Sequence, residues 1–504
     1  MNGSFKYATR ANRDKDVRLV ELIGSDTPLR HAGSPLVRDI SGLTADSRQV
    51  RPGFLFAALP GRREDGRRFV DDAVRRGAIA VLAQPGLSVP ADVTLIESDN
   101  PRLSLARLAA RFYRRQPKTI AAVTGTNGKT SVADFTRQLW TFLGHKAASL
   151  GTLGLVAPAG VRPGSLTTPD PVLLHQDLAA LAGAGVEHVA MEASSHGLDQ
   201  FRLDGVRIGA AAFTNLTRDH LDYHATMEAY YAAKRRLFAE VMAPHGVAVL
   251  NADVAEFADL EALVRARGDR LIDYGAKAKI LRLTALAATA DGLALDLVVE
   301  GKPTQIKLHL VGAFQANNAL AALGLVIGCG APISDALAAL PLLAAVRGRL
   351  QRAGTRTNGA AIYVDYAHTP DALETVLTAL RRHASRRLVV VFGCGGDRDP
   401  GKRPIMGDIA AGIADRAIVT DDNPRSEDPA TIRREILGAA PGAVEIGSRR
   451  EAIFRAVAEL EPGDVLVVAG KGHESGQIVG ATVHPFDDVA VAQEAIAAAD
   501  GGRR

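Results

Sequence analysis

A glycine-rich turn between an apolar run and a helical pattern constrains this chain more than any other feature. Residues 119–123 form a run of β type, the turn 125–128 follows, and the pattern over 129–143 predicts a helix. Backbone N–H groups of such a turn can face a phosphate chain, and the positive end of the helix favours the same anion. Lys129 adds a charge for the β- and γ-phosphates, and the Thr130 hydroxyl can bind Mg²⁺. The segment therefore predicts a nucleotide site.

The turn is a shortened form, G-x-x-G-K-T, because Val123 stands where the common phosphate loop has its first glycine. The alternative interpretation is a glycine-rich turn whose Lys-Thr pair meets no phosphate. Strand, turn and helix stand in the order that the motif needs, and this order favours the phosphate loop.

Length, charge and cysteine content exclude several classes of protein. A chain of 504 residues suggests about three domains. Its 60 Lys and Arg residues against 56 Asp and Glu give a net charge of +4, too small to indicate a nucleic-acid or membrane-surface partner. No apolar run approaches the roughly 18 residues of a membrane span, and the polar segment 1–16 lacks a signal-peptide core. Two cysteines, Cys329 and Cys394, cannot form a disulfide framework. We expect a soluble cytoplasmic enzyme.

The order of the predicted elements indicates three α/β domains, over residues 1–118, 119–346 and 347–504. Buried-type strands at 188–192, 210–214 and 247–250 favour a central, mostly parallel sheet behind the phosphate loop. Turn signals at 291–292 and 300–301 predict antiparallel strands at its edge. The regular strand–helix alternation after 347 predicts a Rossmann-like C-terminal domain.

Three further features carry residues suited to chemistry. Glu192 ends an apolar strand, where a carboxylate suits Mg²⁺, although it could instead help to cap the helix that begins near Ser194. The acidic and imidazole side chains clustered over 219–224 fit a solvated loop or a zinc site equally well when taken alone. Lys234 lies in a predicted helix and, taken alone, is an ordinary surface lysine.

Several motifs recur in the order found in the Mur ligase family, which this chain resembles from about residue 39 to 474. They lie at 125–130, 192–197, 215–224, 234, 312–318, 365–370 and 422–425. The resemblance implies a UDP-binding N-terminal domain, a central ATPase domain and a Rossmann-like C-terminal domain. It also implies ATP, two Mg²⁺ ions and an acyl-phosphate mechanism in the synthesis of peptidoglycan precursors.

Within the family, the pattern is most similar to members that add meso-diaminopimelate to UDP-N-acetylmuramoyl-L-alanyl-D-glutamate. We therefore expect ATP and these two small molecules as partners, no nucleic acid, no membrane span, and a monomeric protein. The resemblance implies that four residues are catalytic: Lys129, Glu192, His220 and Lys234. It implies the metal ligands Thr130, Glu192, His220 and Lys234, the last as N6-carboxylysine formed with CO₂.

The resemblance also assigns three sets of binding residues. ATP is expected at Gly125, Thr126, Asn127, Gly128, Lys129, Thr130, Ser131, Asn318 and His368. The UDP-linked substrate is expected at Ala45, Ser47, Arg62, Arg63, Glu64, Thr167, Thr168, Ser194, Gln200 and Arg202. Diaminopimelate is expected at Arg398, Asp422, Asn423, Pro424, Arg425, Gly470 and Glu474.

Two arginines have a physical reason for these roles. The Arg202 guanidinium could hold the D-Glu carboxylate bidentately. Arg425 follows a predicted strand, and its guanidinium could grip the far carboxylate that diaminopimelate has and lysine lacks. The segment 470–474 resembles a second phosphate loop, but it lacks Ser or Thr after Lys471 and indicates a substrate loop instead.

Two other functions stay open at this point. One is a different ligase of the same fold, either another Mur step or a folylpolyglutamate synthase. The other is an ATP-driven switch or motor without amide chemistry, which would need a partner surface or an arginine finger. Dependence of ATP hydrolysis on the UDP-linked dipeptide and an amino acid would discriminate between them.

Overall fold

Three large β-sheets, each with an apolar core on both faces, and two small two-stranded sheets build the part of the chain that the structure describes. The structure is a computed structural model and describes residues 16–24, 30–33, 37–61, 64–289 and 292–501. In the central sheet, Ile120 and Ala122 enter one core whereas Ala121 and Val123 enter the other. The same alternation occurs in the other two sheets. The predicted α/β class with three domains is confirmed, and the boundaries at 118 and 346 stay predictions.

The N-terminal domain carries a five-stranded sheet in the order β2-β7-β6-β5-β4, parallel except for β2. Its elements are β1 (Val17–Arg18), α1 (Leu19–Ile23), β2 (Arg30–Gly33), β3 (Asp39–Ile40), β4 (Gly42–Thr44), β5 (Phe54–Ala57), α2 (Val70–Arg75), β6 (Ala78–Ala83), β7 (Thr94–Glu97) and α3 (Pro101–Tyr113).

The central domain carries an eleven-stranded sheet in the order β11-β10-β9-β12-β8-β13-β14-β15-β16-β17-β18. Its elements are β8 (Thr119–Thr124), α4 (Lys129–Phe142), β9 (Ala147–Gly151), β10 (Gly154–Ala157), β11 (Gly160–Arg162), α5 (Pro171–Gly183), β12 (His188–Glu192), α6 (Ser195–Asp199), β13 (Ile208–Phe213), α7 (Leu221–His224), α8 (Met227–Arg236), β14 (Met242–Asn251), α9 (Phe257–Ala266), β15 (Arg270–Gly275), β16 (Leu281–Thr289), β17 (Gly292–Val299), β18 (Lys302–Leu308), α10 (Phe314–Gly328) and α11 (Ile333–Ala339).

In the central run β9-β12-β8-β13-β14-β15-β16 all neighbouring strands are parallel. Strands β10 and β11 at one side and β17 and β18 at the other pair antiparallel. Both predictions are therefore confirmed, although residue 291 of the first predicted turn lies outside the described residues. Glu192 of β12 pairs with Val123 of β8, so Glu192 sits beside the start of the glycine-rich turn. The carboxyl ends of parallel strands lie on the same side of a sheet, and the site lies there.

The C-terminal domain carries a six-stranded sheet in the order β19-β20-β24-β21-β22-β23, parallel except for β19. Its elements are β19 (Gln351–Thr355), β20 (Ala361–Asp365), α12 (Pro370–Arg381), β21 (Leu388–Phe392), α13 (Lys402–Ile413), β22 (Arg416–Val419), α14 (Pro429–Leu437), β23 (Val444–Glu445), α15 (Arg449–Ala458), β24 (Val465–Ala469), β25 (Gly476–Val479), β26 (Thr482–Pro485) and α16 (Asp488–Ala499).

Proline starts several of these helices after a capping side chain. At α3, α5, α12 and α14 an Asn, Asp or Thr side chain accepts from a first-turn N–H, and Pro takes the next position. Proline suits this place because the first helical N–H has no partner within the helix. No helix in the described ranges is both long and apolar enough to cross a membrane.

Candidate active site

A cavity of about 430 Å³ lies at the carboxyl ends of the central strands, between the central and C-terminal domains. The glycine-rich turn forms one wall, and the segment that leads into α12 forms another. It brings together most of the residues predicted for catalysis and ATP: Thr126, Asn127, Gly128, Lys129, Thr130, Ser131, Glu192, His220, Lys234, Asn318 and His368.

The phosphate loop is held in shape by its neighbours. Gly128 has φ +89°, and a Cβ atom there would lie 2.5 Å from Asn318 Oδ1, so this position needs glycine. The backbone N–H of Asn127 donates to Asn215 Oδ1 at 2.9 Å. Lys129 Nζ donates to the carbonyls of Gly125 and Thr126, at 2.9 and 2.7 Å. The lysine charge therefore sits directly over the turn, as the motif predicts.

Glu192 is buried beside this loop, with 2% of its surface exposed. Its carboxylate accepts from Thr130 Oγ1 at 3.1 Å and from the backbone N–H of Thr152 at 2.7 Å. A side chain at Gly151 would collide with that carboxylate, which explains the glycine. Ser194 caps α6 by itself, accepting from the Gly197 N–H at 3.1 Å. The helix-cap interpretation of Glu192 is therefore wrong.

His220 lies in a left-handed turn with φ +55°, just before α7. Burial lowers its pKa, so the imidazole is neutral near pH 7, the form that binds metal ions. Its Nε2 is 3.4 Å from Asp219 Oδ2, and Asp222 is exposed. Among the described residues, no three side chains of the 219–224 cluster bring ligand atoms within 4.8 Å of one another. The structure therefore gives the zinc alternative no support.

Lys234 is almost fully buried in α8, with 1% exposed, so its interpretation as a surface lysine is wrong. Its Nζ donates to the Gly125 carbonyl at 2.6 Å and lies 4.2 Å from the centre of the Tyr230 ring. Burial, and then the nearby Lys129 charge, lower the pKa of Lys234 well below its usual value. A sequence signal existed, because position 234 falls on the same helical face as the buried residues Tyr230, Leu237 and Phe238.

Two side chains of the C-terminal domain that the sequence motifs did not indicate form hydrogen bonds at this site. Arg349 Nη2 donates to Thr130 Oγ1 at 3.2 Å, and its guanidinium lies 4.5 Å from the Tyr366 ring centre. Asp371 Oδ2 accepts from Asn127 Nδ2 at 2.7 Å and from Thr217 Oγ1 at 3.2 Å. The two domains are thus hydrogen-bonded to each other across the phosphate loop.

A second cavity, of about 450 Å³, lies between the N-terminal domain and α5, and Ala45, Gln200 and Arg202 line it. Arg202 donates to the Thr168 carbonyl and to Gln200 Oε1, both at 2.7 Å. Thr168 Oγ1 in turn donates to the Glu192 carbonyl at 2.9 Å. This chain of hydrogen bonds links the second cavity to the first.

The other residues predicted for the UDP-linked substrate have three different outcomes. Thr167 and Ser194 line the first cavity instead. Ser47, buried in a short 3₁₀ turn, and Glu64, which is exposed, line neither. The predictions for Arg62 and Arg63 lie outside the described residues.

The residues predicted for diaminopimelate gather where β21, β22 and β24 end. Arg425 Nη1 donates to the Gly396 carbonyl at 2.8 Å, and its φ is +52°. Asn423 is tied to Lys471 Nζ at 2.9 Å and to Glu474 Oε2 at 2.9 Å. A Cβ at Gly470 would lie 2.5 Å from Asp422 Oδ2, so these two loops touch. Pro424 is buried and Arg398 exposed in the same group of loops.

Tyr366 connects these loops to the first cavity. Its ring lines that cavity, and its centre is 4.9 Å from the ring of His473, which belongs to the 470–474 loop. The same ring is 4.5 Å from that of His368, whose Nδ1 lies 2.8 Å from the Tyr366 carbonyl. A candidate phosphate site and a candidate amine site are therefore adjacent.

Three family models match consecutive parts of the chain. They are described as the Mur ligase family catalytic domain, over residues 39–113, the Mur ligase middle domain, over 123–326, and the Mur ligase glutamate ligase domain, over 348–472. A protein of Zymomonas mobilis is 52% identical over 469 residues, which is 92% of this chain and 96% of that protein. This chain belongs to the Mur ligase family.

Other Mur ligase relatives agree with this assignment. A Bradyrhizobium diazoefficiens protein is 53% identical and covers 97% of this chain and 100% of its own length. Both relatives are named UDP-N-acetylmuramoyl-L-alanyl-D-glutamate–2,6-diaminopimelate ligase. A solved structure of that name is 34% identical, covers 96% of this chain and 99% of its own, and gives a TM-score of 0.70.

The side chains of this Mur ligase offer a donor set that suits a hard divalent cation. The Glu192 carboxylate and the Thr130 hydroxyl are 3.1 Å apart and belong to different strand–loop segments. Oxygen donors of this kind are the ligands that Mg²⁺ prefers, usually together with substrate phosphates. His220 lines the same cavity with a neutral imidazole.

Proposed function

We propose that this chain joins meso-diaminopimelate to the D-Glu residue of UDP-N-acetylmuramoyl-L-alanyl-D-glutamate and converts ATP to ADP and phosphate. One observation carries the proposal. The phosphate loop with Lys129 lies between a cavity that contains Arg202 and a group of loops that contains Arg425. Relatives that are more than half identical over nine-tenths of the chain bear the name of this ligase.

The phosphate loop activates the carboxylate. A carboxylate is a poor acylating agent at neutral pH, so the γ-phosphoryl group of ATP moves to the D-Glu γ-carboxylate, and ADP leaves. Lys129 and the N-terminus of α4 stabilise the negative charge that moves with this group. The amine of diaminopimelate then attacks the acyl phosphate, the amide forms, and phosphate departs with the carboxylate oxygen.

Thr130, Glu192 and His220 would hold Mg²⁺, which neutralises phosphate charge when it is bound. We infer that Lys234 joins them as a carbamate. A neutral amine adds to CO₂ and releases one proton, and burial, followed by the nearby Lys129 charge, lowers the pKa of Lys234 and so favours the neutral amine. The product is an anion near the Lys129 cation, so carbamylation adds an attraction that the neutral amine lacks.

Arg425 selects the amino acid in this proposal. Diaminopimelate and lysine have the same reacting amine, but only diaminopimelate carries a carboxylate at its far end. Arg425 Nη1 donates to the carbonyls of Gly396 and Asn423, at 2.8 and 3.5 Å, which fixes the orientation of the guanidinium and leaves its Nε and Nη2 donors for a carboxylate. Asp422, Asn423 and Glu474 would bind the ammonium and amine groups.

We also propose that the enzyme works in the cytoplasm, where ATP is available, and as a monomer. The switch or motor alternative is disfavoured because two further candidate sites adjoin the phosphate loop. They are the cavity that contains Arg202 and the loops that contain Arg425. The folate alternative is disfavoured by the names and the coverage of the relatives.

Substrate dependence of ATP hydrolysis tests the proposal. Purified protein would be assayed with ATP and Mg²⁺, with and without the UDP-linked dipeptide, across a panel of amino acids. We expect phosphate release only when the dipeptide and an amino acid are both present, with diaminopimelate the fastest. Hydrolysis that needs neither would favour the motor, and a preference for lysine would overturn the choice of amino acid.

A further inference from the structure

A cluster of two histidines and one glutamate lies outside every site described above. His145 follows the C-terminal end of α4, Glu187 precedes β12, and His188 is the first residue of β12. One ligand atom of each side chain lies within 4.8 Å of the others. Four residues of extended strand separate His188 from Glu192, or about 13 Å, so this cluster occupies the opposite edge of the sheet from the phosphate loop.

Backbone hydrogen bonds fix the three residues relative to one another. The Lys146 carbonyl accepts from the N–H groups of Glu187 and His188, at 3.0 and 3.4 Å. The His145 N–H donates to the Trp140 carbonyl at 2.9 Å. His188 also pairs with Ala147 in the parallel ladder of β9 and β12. The three side chains can therefore change their relative positions only by rotation about their own side-chain torsion angles.

The His188 ring has an unused ligand atom. Its Nδ1 is buried and, within the described part of the chain, makes no hydrogen bond. A buried polar atom without a partner is costly, and such an atom points to a ligand or an ion. The ring lies 4.2 Å from that of His145 and 5.0 Å from that of Trp140, measured between centres.

We propose that His145, Glu187 and His188 form a zinc site that ties the end of the phosphate-loop helix to the start of β12. Two imidazoles and a carboxylate are ligands that zinc accepts, and three protein ligands leave one position for water. Tetrahedral zinc with bonds of about 2.0–2.1 Å places its ligand atoms about 3.3 Å apart. Rotation of the side chains of His145, which is partly exposed, and Glu187, which is exposed, would bring the ligand atoms to this separation.

The charges around the cluster do not oppose a cation strongly. Zinc binds imidazole in its neutral form, and the Glu187 carboxylate of the cluster attracts a cation. The Lys118 charge acts on the His188 ring, Lys146 follows His145 in the chain, and both lysines are exposed. Their flexible side chains can extend into water when a metal ion is bound.

Zinc binding to the full-length chain tests this site. Metal-stripped protein would be titrated with ZnCl₂ against a chromophoric zinc indicator, in excess Mg²⁺ to occupy the catalytic centre. We expect the wild type to bind one more zinc than His145→Ala or His188→Ala, or to bind it about tenfold more tightly or better. His245→Ala, at an exposed histidine elsewhere in the central domain, is the matched control and should bind as the wild type does. Equal binding by the wild type and both cluster variants would overturn the proposal.

A second variant separates metal binding from folding, because loss of the His188 ring also disturbs its contact with Trp140. Glu187→Gln keeps the shape of an exposed side chain and removes only the charged ligand. Zinc should raise the Tm of the wild type by about 3 °C or more and leave that of Glu187→Gln nearly unchanged. Co²⁺ in the wild type should show the visible absorption of a tetrahedral site. Equal Tm shifts in both proteins would contradict the proposal.

Discussion

Two lysines among the described residues are buried almost completely, one in the central domain and one in the C-terminal domain, and their surroundings differ. Lys234 in the central domain bonds to a carbonyl and lies near a second cation, Lys129. Lys471 in the C-terminal domain forms an ion pair with Glu474 at 3.1 Å and donates to Asn423 at 2.9 Å. Burial alone does not define a lysine's role, because the neighbouring charge decides whether the amine is a nucleophile or a fixed cation.

The same contrast indicates different functions for the surroundings of Lys234 and those of Lys471. In the central region the charge of Lys234 can change, since a neutral amine there can become an anion near metal ligands. The C-terminal region is organised to keep charges fixed, with Lys471 holding Asn423 and Glu474 in place. We therefore assign activation of the carboxylate to the first region and choice of the amine to the second.

The largest effect is expected from Lys234→Ala. Loss of the carbamate would remove an anionic ligand from the metal centre and lower kcat by about 10²–10³-fold, with the fold intact by circular dichroism. Small carboxylates added to the assay should restore part of the activity. Lys277→Ala, at an exposed lysine, is the control. Activity like that of the wild type for Lys234→Ala in CO₂-depleted buffer would show that no carbamate is needed.

Arg425→Ala should affect selection and not activation. A hydrogen bond to a charged group contributes about 1.5–3 kcal/mol, so kcat/KM for diaminopimelate should fall about 10- to 100-fold. The loss for lysine should be much smaller, because lysine has no far carboxylate for this contact. Both amino acids would be compared at saturating ATP and dipeptide. An equal proportional loss for the two would assign Arg425 to loop stability.

Lys471→Met tests whether the Lys471 cation holds Asn423 and Glu474 in place. Asn423 and Glu474 would lose a partner, so the KM for diaminopimelate should rise about tenfold, whereas the KM for ATP stays the same. Because part of the Glu474 side chain reaches solvent, we expect a destabilisation near the lower end of about 1–3 kcal/mol. Lys234→Met is the matched variant and should change kcat instead. Identical kinetic changes in the two variants would contradict the different roles assigned to Lys234 and Lys471.

The smallest effect is expected from pH and dissolved CO₂. The carbamate forms from the neutral amine and releases a proton, so a fall in pH reverses its formation. Turnover should therefore drop several-fold on the acid side of the optimum, and added bicarbonate should offset part of the drop. The pH–rate profile would be recorded with and without bicarbonate at constant ionic strength. A profile insensitive to bicarbonate at every pH would argue for an unmodified lysine.

Local chemistry was predictable from the sequence, and contacts between distant segments were not. The phosphate loop and the turn at 300–301 depend on neighbouring residues, so their spacing was sufficient. The Lys234 contact joins residues 109 positions apart, and Arg349 and Asp371 reach the loop from another domain. Helical periodicity indicates that Lys234 is buried, but no periodicity encodes its contact with Gly125, and its role was predicted only through resemblance to the family. The same resemblance also named Ser47 and Glu64, which line neither cavity.

The fate of an oxygen atom tests the central claim most directly. UDP-N-acetylmuramoyl-L-alanyl-D-glutamate labelled with ¹⁸O in its γ-carboxylate would be turned over with ATP, Mg²⁺ and diaminopimelate, and the released phosphate analysed by mass spectrometry. An acyl phosphate formed at the Lys129 site predicts that one labelled oxygen moves to phosphate in each turnover. Phosphate without label, with amide formation intact, would contradict activation of the carboxylate by ATP.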